Sequence, residues 1–153
     1  MTDFAYSPMF PLGDDTTEYE LVSTDHVELI ELGGETFLKI APEALRLLAQ
    51  RAFTDISHLL RSSHLAQLAA ILDDPEATQN DRFVAVEMLK NAVVAADGLL
   101  PMCQDTGTAI MSGTRGDHVL VGGDEGEALS RGVFDTYQQS NLRYSQLAAT
   151  HMF

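Results

Sequence analysis

The sequence predicts an α+β domain, mainly helical, with short β-hairpins. Three observations carry that expectation. Apolar residues recur at helical spacing between residues 42 and 97, and Gly33-Gly34 separates two β-prone runs. Short β-like pieces then follow residue 107, before a helical pattern resumes. With 153 residues, 45% of them apolar, the chain is long enough for one domain with a real core.

Residues 1–16 read as an irregular N-terminal arm. Pro8, Pro11 and Gly13 interrupt regular structure, and Asp14-Asp15 is polar. Phe4, Tyr6, Met9, Phe10 and Leu12 are too apolar for a solvated tail, so the arm is expected to lie against other protein. Tyr19–Val22 is a candidate short strand. Val27–Leu32 and Thr36–Ile40 flank Gly33-Gly34, a turn pair that tolerates positive φ, and form the expected hairpin.

Pro42 suits a first helical turn, where its missing N–H has no intrahelical partner. Leu45, Leu48, Ala52, Ile56 and Leu59 then share one apolar helix face. Ser62 or Ser63 is expected to cap a second helix, His64–Leu72, which stops at Asp73-Asp74-Pro75. Asn80 is expected to cap a third helix. In it Phe83, Val86, Leu89 or Lys90, Val93 and Ala96 alternate between core and edge, and Gly98 ends it. Thr108–Ser112 and His118–Val121 are β-like pieces joined by a Gly-rich turn. Asp124-Glu125-Gly126-Glu127 has the pattern of a capping box and opens a helix to about Asn141. A last helix is expected from about Ser145, and its pattern runs to residue 153 without a stop signal. That pattern predicts a fragment, or a subunit completed by another chain.

Charge narrows the function classes. Twenty-three acids against nine bases give a net charge of −14, which disfavours nucleic acid and anionic membrane surfaces as partners. A run of about 18 apolar residues, the length of a membrane span, does not occur. The first residues lack the basic start and apolar stretch of a signal peptide, so a cytoplasmic location is the expectation. The single cysteine, Cys103, excludes an intrachain disulfide.

The chemistry-bearing segment is Pro101-Met102-Cys103-Gln104-Asp105-Thr106-Gly107-Thr108-Ala109-Ile110. It sets a thiol, an amide and a carboxylate beside a glycine that lets a ligand approach the main chain. By spacing alone, a polar turn feeding a strand explains the same residues, with Asp105 and Thr106 bonding locally, and is the more economical reading. Acidic pairs at Asp14-Asp15 and Asp73-Asp74 read as solvated turns, Arg115 as an exposed turn tip, and Arg131 as a helix residue in an ion pair or in contact with solvent. His26, His58, His64, His118 and His151 show no paired metal spacing with Cys103 and read as structural or surface residues.

The decapeptide closely resembles the P-x-C-Q-D-T-G-T-A motif of class I, iron–sulfur fumarate hydratases. The resemblance extends over nearly the whole chain and is closest to the N-terminal domain of the single-chain bacterial type. It takes in Leu38-Lys39-Ile40-Ala41-Pro42-Glu43-Ala44-Leu45, Asp74-Pro75-Glu76-Ala77, Gly122-Gly123-Asp124-Glu125, Arg131-Gly132-Val133 and Asn141-Leu142-Arg143-Tyr144-Ser145. It implies reversible hydration of fumarate to L-malate, with one iron of a [4Fe–4S] cluster as Lewis acid. It makes Cys103 one of three cluster ligands, Asp105 a catalytic carboxylate that also contacts substrate, Gln104 a substrate contact, and Arg143 the grip on a substrate carboxylate. Residues 17–153 would then be a cluster-binding N-terminal hydro-lyase domain that continues beyond residue 153 in the family. Two further cysteines, a C-terminal region or partner chain, and a homodimer are implied for the complete enzyme. This chain alone is expected to be inactive.

Other readings are a related dicarboxylate hydro-lyase of the tartrate dehydratase or mesaconase type, and a non-catalytic domain that binds a full-length partner. A thiol enzyme using Cys103 with His118 as base has no support from spacing.

Overall fold

A computed structural model describes residues 5–7, 18–102 and 108–142. Most of the expected arm, the helix expected from Ser145 and the residues Cys103, Gln104, Asp105 and Arg143 lie outside the described residues. The described elements are β1 (Val27–Leu32), β2 (Glu35–Ile40), α1 (Pro42–His58), α2 (Ser62–Ala70), α3 (Gln79–Ala95), β3 (Val119–Val121) and α4 (Glu125–Gln139). Mainly helical α+β is therefore the observed class.

The hairpin forms where the glycine pair predicts it. Gly33 and Gly34 sit at φ 64° and 88°, so both turn residues occupy the left-handed region that a two-residue hairpin matching the strand twist demands. The antiparallel register runs from Val27 opposite Ile40 to Leu32 opposite Glu35. Tyr19–Val22, by contrast, carries no regular structure. A strand exists only through a ladder, and β1 makes its ladder with β2.

The second expected hairpin does not form either. Residues 108–116 are irregular, and Val119–Val121 instead joins β2 in parallel, with Leu38 opposite Val119 and Ile40 opposite Val121. The sheet order is β1-β2-β3. Its register collects Val27, Leu29, Leu38, Ile40, Val119 and Val121 on one face. An apolar triplet gains more from completing that face than from a flat two-stranded ribbon with residues 108–112.

Pro42 is at the first position of α1, as expected. The buried face of the helix is not the expected one. Ala49, Phe53 and Ser57 are buried, while Leu48 and Leu59 are exposed and Ile56 keeps 64% of its surface in water. The reason lies on α4. Its buried residues Ala128, Gly132 and Thr136 are small and recur every four positions, so two backbones can approach closely along that stripe. A Cβ placed on Gly132 would lie 2.7 Å from Ala49 Cβ and 3.0 Å from Gln50 N. Close packing, rather than total side-chain hydrophobicity, selects the α1 face. Arg46 Nε donates to Asp135 at 2.6 Å, Gln50 to Gln139 at 2.8 Å, and Thr136 Oγ1 bonds the Gln50 carbonyl at 3.2 Å, so the contact is stitched along its length.

Two helix starts also differ from expectation. α2 begins at Ser62 with Arg61 as its cap residue, because the His64 and Leu65 N–H groups both donate to the Arg61 carbonyl. α3 is capped by Thr78, not Asn80. Asp81 N–H donates to Thr78 Oγ1, and Thr78 N–H donates to Asp81 Oδ2, a reciprocal box that Asn80 has no partner to make. Within α3 the buried residues are Ala85, Ala92 and Ala95. Phe83 and Val93, expected near the core, are 62% and 72% exposed. Gly98 at φ 75° follows the helix end as expected, and Asp124 caps α4 by accepting from Glu127 N–H at 3.0 Å.

The buried apolar set among the described residues is small: five alanines with Phe53, Leu68 and Leu142. Large apolar side chains such as Leu29, Val94, Leu99, Leu100 and Ile110 face outward. No described helix is long and apolar enough to cross a membrane.

Candidate functional site

Three chain segments converge at the C-terminal ends of α1, α3 and α4. α1 ends on the buried pair Ser57 and His58. α3 leads through Gly98 into Leu99-Leu100-Pro101-Met102, and the Met102 N–H donates to the Ser57 carbonyl at 2.9 Å. α4 ends at Gln139, after which Asn141 Nδ2 donates to the Leu99 carbonyl at 3.0 Å and Leu142 is buried. The residue immediately before Cys103 is thus pinned to α1. Asn141, two positions before Arg143, is pinned to the same lead-in.

Sequence reasoning placed the chemistry at Cys103, Gln104, Asp105 and Arg143, all outside the described residues. The structure brings together the described flanks of these two stretches, which are separated by some forty positions in the chain. Sequence reasoning missed the tethers. Asn141 is recognisable only as part of the Asn141–Ser145 resemblance, and no local pattern marks Ser57 as an acceptor for Met102.

His58, expected as a structural or surface residue, is 4% exposed. Its Nδ1 lies 2.8 Å from the Thr54 carbonyl. A carbonyl only accepts, so Nδ1 carries a proton and donates. Nε2 is buried without a hydrogen-bond partner.

An open cleft of about 420 Å³ lies beside the lead-in, lined by Leu60, His64, Leu68, Phe83, Met88 and Met102 among others. A second cleft of about 430 Å³ is bounded by Ile40, Leu45, Leu48, Met111, Val119 and Leu129, with the Arg115–Glu125 ion pair at its lining. Its lining includes none of the converging residues.

The remaining polar residues take local partners. Arg115, expected as a turn tip, pairs with Glu125, and Arg131 lies over the Phe134 ring at 5.9 Å. His118 stacks on Phe37 at 4.8 Å between centroids. Asp74 Oδ1 accepts from Glu76 N–H, as a polar turn requires.

Among the described residues no group of three or more His, Cys, Asp or Glu is arranged to hold a metal ion. Cys103 is the sole thiol of the sequence. Cluster iron is held by several thiolates, so the donor set of this chain does not by itself fit an iron–sulfur cubane.

Comparison with known proteins agrees with the motif. The chain matches the family described as Fumarate hydratase (Fumerase) over residues 46–152. It is 54% identical over 150 residues to "Fumarate hydratase class I, anaerobic" of Escherichia coli (strain K12), covering 98% of this chain and 27% of that protein. It is 52% identical over 150 residues to "Fumarate hydratase class I, aerobic" of Salmonella typhimurium, covering 98% of this chain and 26% of that protein. It is 47% identical over 156 residues to "Fumarate hydratase 1, mitochondrial" of Leishmania major, covering 100% of this chain and 28% of that protein. The chain spans about a quarter of the length of the curated relatives it matches. With the family match reaching over more than half of its residues, the chain belongs to the fumarate hydratase (Fumerase) family.

Proposed function

We propose that this chain forms the N-terminal, cluster-ligating part of a class I fumarate hydratase that reversibly hydrates fumarate to L-malate. One observation carries the reading beyond family membership: the Asn141–Leu99 bond holds the flank of Arg143 against the lead-in to Cys103. A site that must offer a thiolate, a carboxylate and a guanidinium to one small diacid needs those two stretches side by side.

In this reading Cys103 is one of three thiolates, the other two belonging to sequence outside this chain. When bound, the [4Fe–4S] cluster supplies a Lewis-acidic iron. Arg143 grips a substrate carboxylate through two parallel N–H donors, a geometry lysine lacks. Gln104 offers an amide to the same diacid. Asp105 holds or moves a proton at the substrate carbon. The complete enzyme is a cytoplasmic homodimer, and this chain alone is inactive because one thiol cannot secure a cluster.

The test uses the full-length protein, reconstituted anaerobically with iron and sulfide. Cys103→Ser is expected to lose most cluster iron and its visible absorbance. Asp105→Asn is expected to retain iron and lose roughly 10²–10⁴-fold in kcat. Arg143→Lys is expected to raise KM for fumarate, with kcat/KM down by about 10–100-fold, as for one lost charge-assisted pair. Full iron content and activity in Cys103→Ser would refute the ligand assignment. Turnover of tartrate or mesaconate in place of fumarate would move the protein to a related hydro-lyase. A folded full-length protein that binds no cluster and modulates another fumarase would mark a non-catalytic domain.

A further inference from the structure

We propose that α3 is a self-docking surface, on which a second copy of this chain seats its own α3 antiparallel about a two-fold axis. The observation is a stripe on the helix. Phe83, Glu87, Lys90 and Val94 follow one another at steps of four, three and four residues, so at about 100° per residue they stand above one another on one face. Ala85 and Ala92, both buried, lie on the opposite side. The stripe faces water: Phe83 is 62% and Val94 54% exposed, and the side chains of Lys90 and Glu87 are 65% and 49% exposed. A helix that turns apolar residues both inward and outward is ordinarily covered on both sides.

The order of residue types along the stripe names the occupant. It runs apolar, acid, base, apolar, which is complementary to its own reverse. Under a two-fold axis passing between Glu87 and Lys90, each contact occurs twice. Phe83 meets Val94 of the second copy, and Glu87 meets Lys90 of the second copy. The intrachain Glu87–Lys90 pair, 2.7 Å apart, then becomes half of a ring of four charges of alternating sign. A parallel arrangement in register would set Glu87 against Glu87 and Lys90 against Lys90, and like-charge repulsion disfavours it. Charge selects the place as well as the direction. At a net charge of −14, two copies repel over most of their surface, whereas this stripe carries one charge of each sign and matches itself. A seam of one helix per copy is at the small end of interfaces, so the pairing is reversible, with a dissociation constant on the order of 10–100 μM. The inference uses neither the cluster, the substrate nor the homodimer of the complete enzyme, so it stands or falls apart from the fumarate hydratase reading.

The test is sedimentation equilibrium of this chain across that concentration range. The unaltered chain is expected to fit a monomer–dimer equilibrium. Glu87→Lys or Lys90→Glu alone turns both attractions between the copies into repulsions, and is expected to weaken the dimer roughly tenfold. Glu87→Lys combined with Lys90→Glu restores the alternation, and is expected to return to within about threefold of the unaltered chain. An equal mixture of the two single variants is expected to form a heterodimer tighter than either variant alone. Each single variant lacks the intrachain attraction, so the mixture separates contact between copies from helix stability. Both positions are exposed and both residue types are good helix formers, so every form is expected to keep the same helical circular dichroism. A monomer throughout the range would overturn the proposal. So would open-ended assembly, single variants that dimerise as well as the unaltered chain, or a mixture with no gain, each of which places the contact on another face. Loss of urea stability, rather than of association, in single variants of the full-length protein would give the stripe to that protein's own remaining sequence and overturn it too.

Discussion

The α1–α4 pair and α3 bury residues of similar size, yet they solve different problems. Between α1 and α4, Gly132, Ala49 and Thr136 bring two backbones together, and polar side chains cross-link the seam at Arg46–Asp135, Gln50–Gln139 and Thr136–Gln50. α3 turns Ala85, Ala92 and Ala95 inward but leaves Phe83, Val93 and Val94 outside. The first arrangement is finished within this chain. The second has a large apolar surface facing water. Small buried residues mean close contact in one region and a mostly exposed helix in the other.

The sharpest way to break that contrast is Gly132→Ala. The added methyl meets Ala49 Cβ at 2.7 Å and the Gln50 backbone at 3.0 Å, neither of which can swing aside. Overpacking outweighs the gain in helix propensity, and a net loss of about 2 kcal/mol is expected in urea unfolding. An alanine introduced at an exposed α3 position is expected to cost far less.

Next is Thr136→Val. Thr136 is 1% exposed and its hydroxyl lies 3.0 Å from the Gly132 carbonyl as well as near Gln50. The isosteric change keeps the volume and removes the donor, with an expected loss of about 1–1.5 kcal/mol.

Thr78→Ala removes the α3 cap and is expected to cost about 1 kcal/mol. It also changes the acid limb of stability. The Thr78 hydroxyl, then the Thr78 N–H, hold the Asp81 carboxyl below its ordinary value. A depressed folded-state value means a contribution present above the unfolded carboxylate range and lost as pH falls through the folded value. Thr78→Ala is therefore expected to flatten the fall in stability below about pH 4, measured by urea midpoints across pH.

The smallest effect is expected at Phe83→Gln, within about 0.5 kcal/mol of the native chain, because the ring is already in water. Its consequence is intermolecular. The native chain is expected to self-associate in light scattering despite its charge of −14, and Phe83→Gln with Val93→Gln to reduce that association. A monodisperse native monomer would remove the contrast between the two regions.

What was legible in the sequence was local. Gly33-Gly34, Pro42, Gly98 and Asp124 act through their own backbone geometry or a bond three residues away, and each does what its type predicts. What was illegible depended on a distant partner. The apolar stripe Leu45-Leu48-Ala52-Ile56-Leu59 is real, but α4 decides which side of α1 is covered. Val119–Val121 reads as a hairpin strand until β2 is known to be its neighbour. Asn80 is the polar residue nearer the apolar run, but the reciprocal carboxylate of Asp81, three residues beyond Thr78, marks Thr78 as the cap. Of the candidate site, Cys103, Gln104, Asp105 and Arg143 were nameable only through family resemblance, and His58 carried no sequence signal because burial, not spacing, distinguishes it.

The parallel pairing of β2 with β3 has a kinetic consequence. Leu38 and Val119 meet across roughly eighty residues, so ribosomal synthesis at about 5–20 residues per second leaves the hairpin edge waiting on the order of 4–16 s for its third strand. Through that interval the newborn chain carries an unclaimed strand edge with alternate apolar side chains, an invitation to sticking between nascent neighbours on a polysome. Expression at lower temperature, or with a holdase that shields extended segments, should raise the soluble yield more than any change to the helices.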